Sequence, residues 1–130
     1  MIVVDSSFLV SVLIDAGPTG KACAARLSGE ELVAPELIDL EVLSVLKRLL
    51  RSGKLPREKA DRAAGELPAF PVRRASCQGL VPRLWELRDN FTPYDATYIA
   101  LAEQLGATLV TGDGKFRTAP GKRCAVEVIR

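Results

Sequence analysis

Four acidic residues stand where this chain could use them for chemistry: Asp5, Glu41, Asp95 and Asp113. Asp5 follows the apolar run I-V-V and Asp113 follows A-T-L-V, so both fall just past the ends of expected strands. Glu41 and Asp95 lie in helical patterns, Asp95 in a first turn, where the positive end of the helix dipole favours a carboxylate. Ser7 and Thr111, each two residues from an acid, can orient carboxylates or waters. The chain has no histidine, so the commonest general base and the commonest transition-metal ligand are both absent. Four carboxylates drawn together repel one another and stay ionised only around a cation; otherwise some take up protons. Oxygen ligands alone point to Mg²⁺ or Mn²⁺, ions that keep several waters and meet substrate phosphates. The chemistry of such a site is metal-assisted phosphodiester hydrolysis.

Each acid also has a plainer reading. Asp5 or Ser6 caps a helix, and Asp95 reaches back to Thr92 in a capping box. Glu41 pairs with Arg48 or Arg51 at the margin of an apolar face, and Asp113 belongs to a glycine-rich turn.

The elements that must position these residues are legible as alternating strands and helices, which predicts an α/β fold with a mainly parallel sheet. Residues 1–5 read as a buried strand and 6–14 as a helix. A short helix over 19–27 and a short strand over 31–34 follow. Pro35 is expected to open a long helix through Ser52, ended by Gly53. A charged helix spans 57–67, a strand is expected over 70–72, and a helix over 77–89 with Trp85 inward. Thr92 caps and Pro93 opens the helix to Leu105, which Gly106 ends. Strands over 107–110 and 125–129 complete the pattern, the last at an edge. In open sheets of this kind ligands sit beyond the carboxyl ends of the strands, where Asp5 and Asp113 would be.

Composition, at 48% hydrophobic and 26% charged residues, fits a globular protein, and 130 residues suit one domain. No apolar run reaches membrane-spanning length and the start lacks a secretory signal, so a cytoplasmic location is expected. Cys23, Cys77 and Cys124 are odd in number and widely spaced, which argues for reduced, mostly buried thiols. With the four acids set aside, 18 basic residues face 12 acidic ones. A basic shell around an acidic hole suits a polyanion. Lys47, Arg48, Arg51, Arg73, Arg74 and Lys115 are the candidate phosphate guides.

D-S-S at Asp5–Ser7, P-E-L-I-D-L-E ending at Glu41, T-P-Y-D-A-T-Y-I-A-L-A around Asp95 and T-G-D-G-K-F around Asp113 run in one order over nearly the whole chain. In that order they resemble the PIN-domain ribonucleases, above all the toxins of VapBC-type toxin–antitoxin pairs. The resemblance implies a PIN-like fold, with a five-stranded parallel sheet flanked by helices, in a single nuclease domain over residues 1–130. It implies an Mg²⁺- or Mn²⁺-dependent endoribonuclease that leaves 5′-phosphate and 3′-hydroxyl ends. Asp5, Glu41, Asp95 and Asp113 would be its metal-site acids, with Asp113 acting directly or through water, and Ser7 and Thr111 its supporting hydroxyls. It further implies a homodimer and a small antitoxin whose extended tail crosses the acidic cleft. Single-stranded loops of tRNA or rRNA are the expected substrates, because loops expose base and backbone.

Two rivals use the same residues: a receiver-like phosphoacceptor domain, and a catalytically silent module whose acidic cleft docks a basic peptide.

Overall fold

The structure, a computed structural model, describes residues 1–130. Five strands form one parallel sheet: β1 Ile2–Val4, β2 Leu32–Pro35, β3 Val72–Ala75, β4 Thr108–Thr111 and β5 Val126–Val128, in the spatial order β3-β2-β1-β4-β5. Val3 of the central strand pairs with Val33 on one side and Leu109 on the other. All three β1 residues are buried, as expected of a strand covered on both faces.

The helices are α1 Ser6–Ile14, α2 Pro18–Leu27, α3 Ile38–Arg51, α4 Arg57–Glu66, α5 Val81–Glu86, α6 Pro93–Leu105 and α7 Lys115–Thr118. The chain steps outward from β1 to β2 to β3, then returns across the sheet to β4 on the other side of β1. Parallel crossovers are right-handed, so this reversal puts α1–α4 over one face and α5–α6 over the other. The packing agrees: α1 contacts α2, α3 and α4, whereas α6 contacts β1, β2, β4 and α5. The strand order therefore reverses between β1 and β4, and that crevice is where an open α/β sheet binds its ligand.

Helix α6 is buried without a break from Ala96 to Ala102. A helix apolar nearly all round belongs inside a protein, and Ala96 and Ala100 leave room for the sheet. Gly106 ends it in the left-handed conformation at φ 62°. Phe8, Leu9, Ile38, Val42, Tyr98, Ile99 and Phe116 anchor one continuous core.

Several local expectations are corrected. Pro35 closes β2, aligned with Ala75, and α3 begins only at Ile38. Proline donates no N–H, and a strand end tolerates that as well as a helix start does. The strand near residue 70 is β3, with Arg73 and Arg74 inside it rather than beyond it. The helix expected over 77–89 is a 3-10 turn followed by the short α5, and Trp85 is 68% exposed, with the Arg88 guanidinium 4.7 Å from its ring centroid. Of the three cysteines only Cys23 is buried; Cys77 and Cys124 are partly exposed. No single helix is long and apolar enough to cross a membrane.

Candidate active site

Asp5 leaves the end of β1 and caps α1. Its Oδ1 accepts from the Phe8 N–H at 3.0 Å and from Ser7 Oγ at 2.7 Å, and its Oδ2 accepts from Thr111 Oγ1 at 2.5 Å. The capping reading is thus realised, and the same carboxylate also meets the hydroxyls of Ser7 and Thr111. Thr111, the last residue of β4, accepts in turn from the Asp113 N–H at 3.0 Å. Ser7 Oγ accepts from the Gly112 N–H at 3.0 Å. A Cβ at Gly112 would lie 3.2 Å from that oxygen, so glycine permits this approach. These bonds lace the ends of β1 and β4 together at the point where the strand order reverses.

Asp5 is 4% exposed. Burial pushes its carboxyl above the ordinary range; the bonds from Thr111, Phe8 and Ser7 pull it back, and the Asp113 charge adds to the rise. Glu41, in the first turn of α3, reaches α6 instead of Arg48 or Arg51. Its Oε1 accepts from the Tyr98 hydroxyl at 2.5 Å. Burial raises Glu41 too; the Tyr98 bond opposes this, while Asp95 and Asp5 reinforce it and Lys115 weakens it. Burial and the Glu41 carboxylate push the Tyr98 phenol far above its usual value, so it remains a donor.

Thr92 caps α6 by accepting from the Asp95 N–H at 3.1 Å. The Asp95 side chain does not complete a capping box. Its Oδ2 lies 2.8 Å from Lys115 Nζ, which is also 3.3 Å from Asp113 Oδ2. Asp113 Oδ1 accepts from the Lys115 N–H at 3.0 Å and so fixes the start of α7, a helix the sequence pattern did not suggest.

All four acids therefore lie within one electrostatic neighbourhood, but in three side-chain groups: Asp5 with Ser7 and Thr111, Glu41 with Tyr98, and Asp95 with Lys115 and Asp113, the first and third joined through the Asp113 N–H bond to Thr111. No three of them converge on one point as a ready ligand set, so a closed ring of four carboxylates is not the arrangement found. The donor chemistry nevertheless fits a hard divalent cation. Every candidate ligand is a carboxylate oxygen, two of the acids already share a cation in the Lys115 ammonium, and like charge contributes to the raised values of Asp5 and Glu41.

The basic candidates divide. Arg74 is committed to Asp39 and to the carbonyls of Leu67, Phe70 and Val72, so it locks β3 to its surroundings. Arg73 lies 3.6 Å from Glu31. Lys47, Arg48 and Arg51 are exposed on α3, and the chain's ion pairs all lie elsewhere. Glu41 borders a cleft of about 410 Å³ between α3 and the start of α6. Sequence reasoning had no role for Tyr98, or for Lys115 as an internal counter-ion. The only signal for Tyr98 was its place three residues after Asp95, on the same helix face.

The family model for the PIN domain matches residues 2–122. A VapC ribonuclease of Mycobacterium bovis is 36% identical over 129 residues, covering 99% of this chain and 98% of the relative. Among solved structures, VapC20 of Mycobacterium tuberculosis, a sarcin–ricin loop cleaving toxin, superposes with a TM-score of 0.70 over 90% of this chain and 93% of that one at 19% identity. VapBC2 from Rickettsia felis, bound to a DNA fragment from their promoter, matches with a TM-score of 0.68 over the full length of both chains at 15% identity. Those two likenesses speak to fold alone; the sequence match over the full length, with acids at the β1–β4 reversal, makes this chain a member of the PIN-domain family, among the VapC ribonucleases.

Proposed function

We propose that this protein is an endoribonuclease of the VapC type, the toxin of a type II toxin–antitoxin pair, acting on exposed loops of structured RNA such as tRNA or rRNA in the cytoplasm. The observation that carries this reading is the junction of β1 and β4. There Asp5 is held at both oxygens by Ser7, Phe8 and Thr111, beside the Asp95–Lys115–Asp113 bridge and the Glu41–Tyr98 pair.

Asp5, Glu41, Asp95 and Asp113 are the residues that would hold Mg²⁺ or Mn²⁺. Such an ion, when bound, supplies an activated water and neutralises charge on the phosphodiester. The chain's own part is positioning. Thr111 and Ser7 fix the Asp5 carboxylate, Tyr98 fixes Glu41, and the Lys115 ammonium balances two acids and stands ready for a phosphate oxygen. With no histidine, a histidine acid–base route through a cyclic phosphate is excluded; 5′-phosphate and 3′-hydroxyl ends are what the likeness to the PIN-domain ribonucleases implies.

A small antitoxin partner is supported by the VapBC2 likeness, and association as a homodimer is proposed with it. A phosphoacceptor role fits poorly, because no isolated acid stands out as the acceptor and Glu41 and Asp95 lie within helices, the one bonded to Tyr98 and the other paired with Lys115. The test is to sequence RNA ends after brief expression of the wild type and of Asp95→Asn. Discrete 5′-phosphate ends unique to the wild type are expected; the same ends in both would refute the reading, and metal-independent peptide binding without RNA turnover would favour the silent module.

A further inference from the structure

We propose that the cleft between α3 and the first turn of α6 holds one unstacked nucleobase beside the scissile phosphate, with Tyr94 as its stacking platform, and that the strand continues from there onto Arg48, Lys47 and Arg51. This deepens, and rests on, the ribonuclease reading of the acidic site.

Two exposed apolar side chains flank the acids. Leu40, 69% exposed, immediately precedes Glu41, and Tyr94, 63% exposed, immediately precedes Asp95. Neither serves the core, and both line the same cleft, with Ser6, Ser44 and Val45 around them. The Tyr94 backbone is held although its ring is free: Pro93 opens the helix, and Thr97 Oγ1 donates to the Tyr94 carbonyl at 2.6 Å. An aromatic ring on a fixed backbone loses little entropy when a base stacks on it, and every base offers a π-face.

A second hollow, of about 480 Å³, adjoins the first and shares Ser44 and Arg48 with it. Its remaining lining is Lys47, Arg51 and Ser52, with no apolar residue. Along α3, Glu41, Ser44, Arg48 and Arg51 recur at helical spacing on one face, a stripe of roughly 15 Å at 1.5 Å per residue. The order along the stripe is carboxylate, apolar slot, cations. Single-stranded RNA presents a matching order: a phosphate at the acidic site, a base in the slot, further phosphates on the cations. A basic peptide suits the acids but is repelled by Lys47, Arg48 and Arg51. An acidic peptide and RNA alike suit those cations and are repelled by bare acids, so the acidic end accepts a phosphate only across the cation that the ribonuclease reading places there. What separates RNA from an acidic peptide is the exposed Tyr94 ring between the two ends, on which a base can stack.

The test is a cycle between the RNA and Tyr94. Binding of a short fluorescein-labelled single-stranded RNA is measured by anisotropy in an Asp5→Asn background, alone and with Tyr94→Ala or Tyr94→Phe. Each nucleotide of the RNA is replaced in turn by an abasic residue. At one position the abasic RNA should bind the parent about ten-fold more weakly, and Tyr94→Ala should lose a similar factor on intact RNA. The two losses should not add, and Tyr94→Phe should bind like the parent. No sensitive abasic position, or full affinity in Tyr94→Ala, overturns the pocket. So does a Tyr94→Ala defect confined to a lysine-rich probe peptide. Cleavage by protein with Asp5 intact is followed separately. Cutting with no sensitive position sinks the pocket and leaves the ribonuclease reading standing; a sensitive position without cutting does the reverse.

Discussion

Lys115 Nζ lies 2.8 Å from Asp95 Oδ2, and its second contact, at 3.3 Å, is Asp113 Oδ2. The first residue of α7 thus carries an ammonium back onto the first turn of α6. The Asp95 bond is the main reason this lysine holds its proton more tightly than usual, against a smaller opposing effect of burial. A divalent cation binding these acids must share or displace the ammonium. Lys115→Gln should therefore bind Mn²⁺ more tightly, by up to about five-fold, since the pair is half exposed and worth at most about 1 kcal/mol. Isothermal titration calorimetry reads this directly, and equal or weaker affinity in the variant would show that the ammonium does not compete.

Asp5→Asn keeps the shape and removes one buried charge. The amide oxygen can still accept from Ser7 and the Phe8 N–H, so the cap survives. The stability change should stay within about 1 kcal/mol, and loss of the charge that burial disfavours offsets the poorer contact with Thr111. RNA cleavage should fall by at least about a hundred-fold, beyond what the loss of a supporting residue costs. A folded variant that cuts at the parent rate would remove Asp5 from the site.

Much of this arrangement is legible in the sequence because it is local. The apolar runs ending at Asp5 and near Asp113, and the Thr92–Pro93 start of α6, each follow from neighbours in the chain. What escapes is what depends on how distant elements meet. Glu41 has Arg48 and Arg51 about two and three turns on along its own helix, yet its bond goes to Tyr98, because α6 lies buried within reach. Lys115 reads as one more surface cation until α7 folds and aims it at Asp95. Arg73 and Arg74 look like a free basic pair, but β3 begins at Val72 and draws both into its surroundings. Trp85 looks inward by type; on a helix of six residues there is too little periodicity to assign a face.

Tyr98→Phe isolates the support of Glu41. The ring is almost wholly buried and phenylalanine fills its place, so the loss is one hydroxyl. Stability should fall by about 1 kcal/mol. Cleavage should drop about ten- to a hundred-fold, because Glu41 is no longer held toward α6. Thermal melts and single-turnover cleavage measure the two effects; unchanged cleavage would reduce Tyr98 to a packing residue.

Acid stability should depend on Glu103, far from the site. Its Oε1 accepts from Arg83 Nε at 2.7 Å, and its Oε2 accepts from Arg83 Nη2 at 3.0 Å and from the Arg123 N–H at 2.6 Å. Arg83 also donates to the Gly121 carbonyl at 2.8 Å, so the cluster ties α5 to α6 and to the segment before β5. Burial pushes the Glu103 carboxyl up, but the Arg83 bond, the Arg123 N–H and the nearby positive charges outweigh it and hold the group below its ordinary value. A carboxyl depressed by folding stabilises the fold above its unfolded pKa, about 4.3, and that contribution disappears as pH falls through the lower folded value. Glu103→Gln should cost about 1 to 2 kcal/mol at pH 7. Asp5 and Glu41 shift the opposite way, so the informative quantity is the difference between wild type and variant. That difference should be constant above about pH 5 and close as the pH drops below about 4. Melting temperatures across this range by circular dichroism give it, and a gap that stays constant through acid would show that the Glu103 charge contributes nothing to the fold.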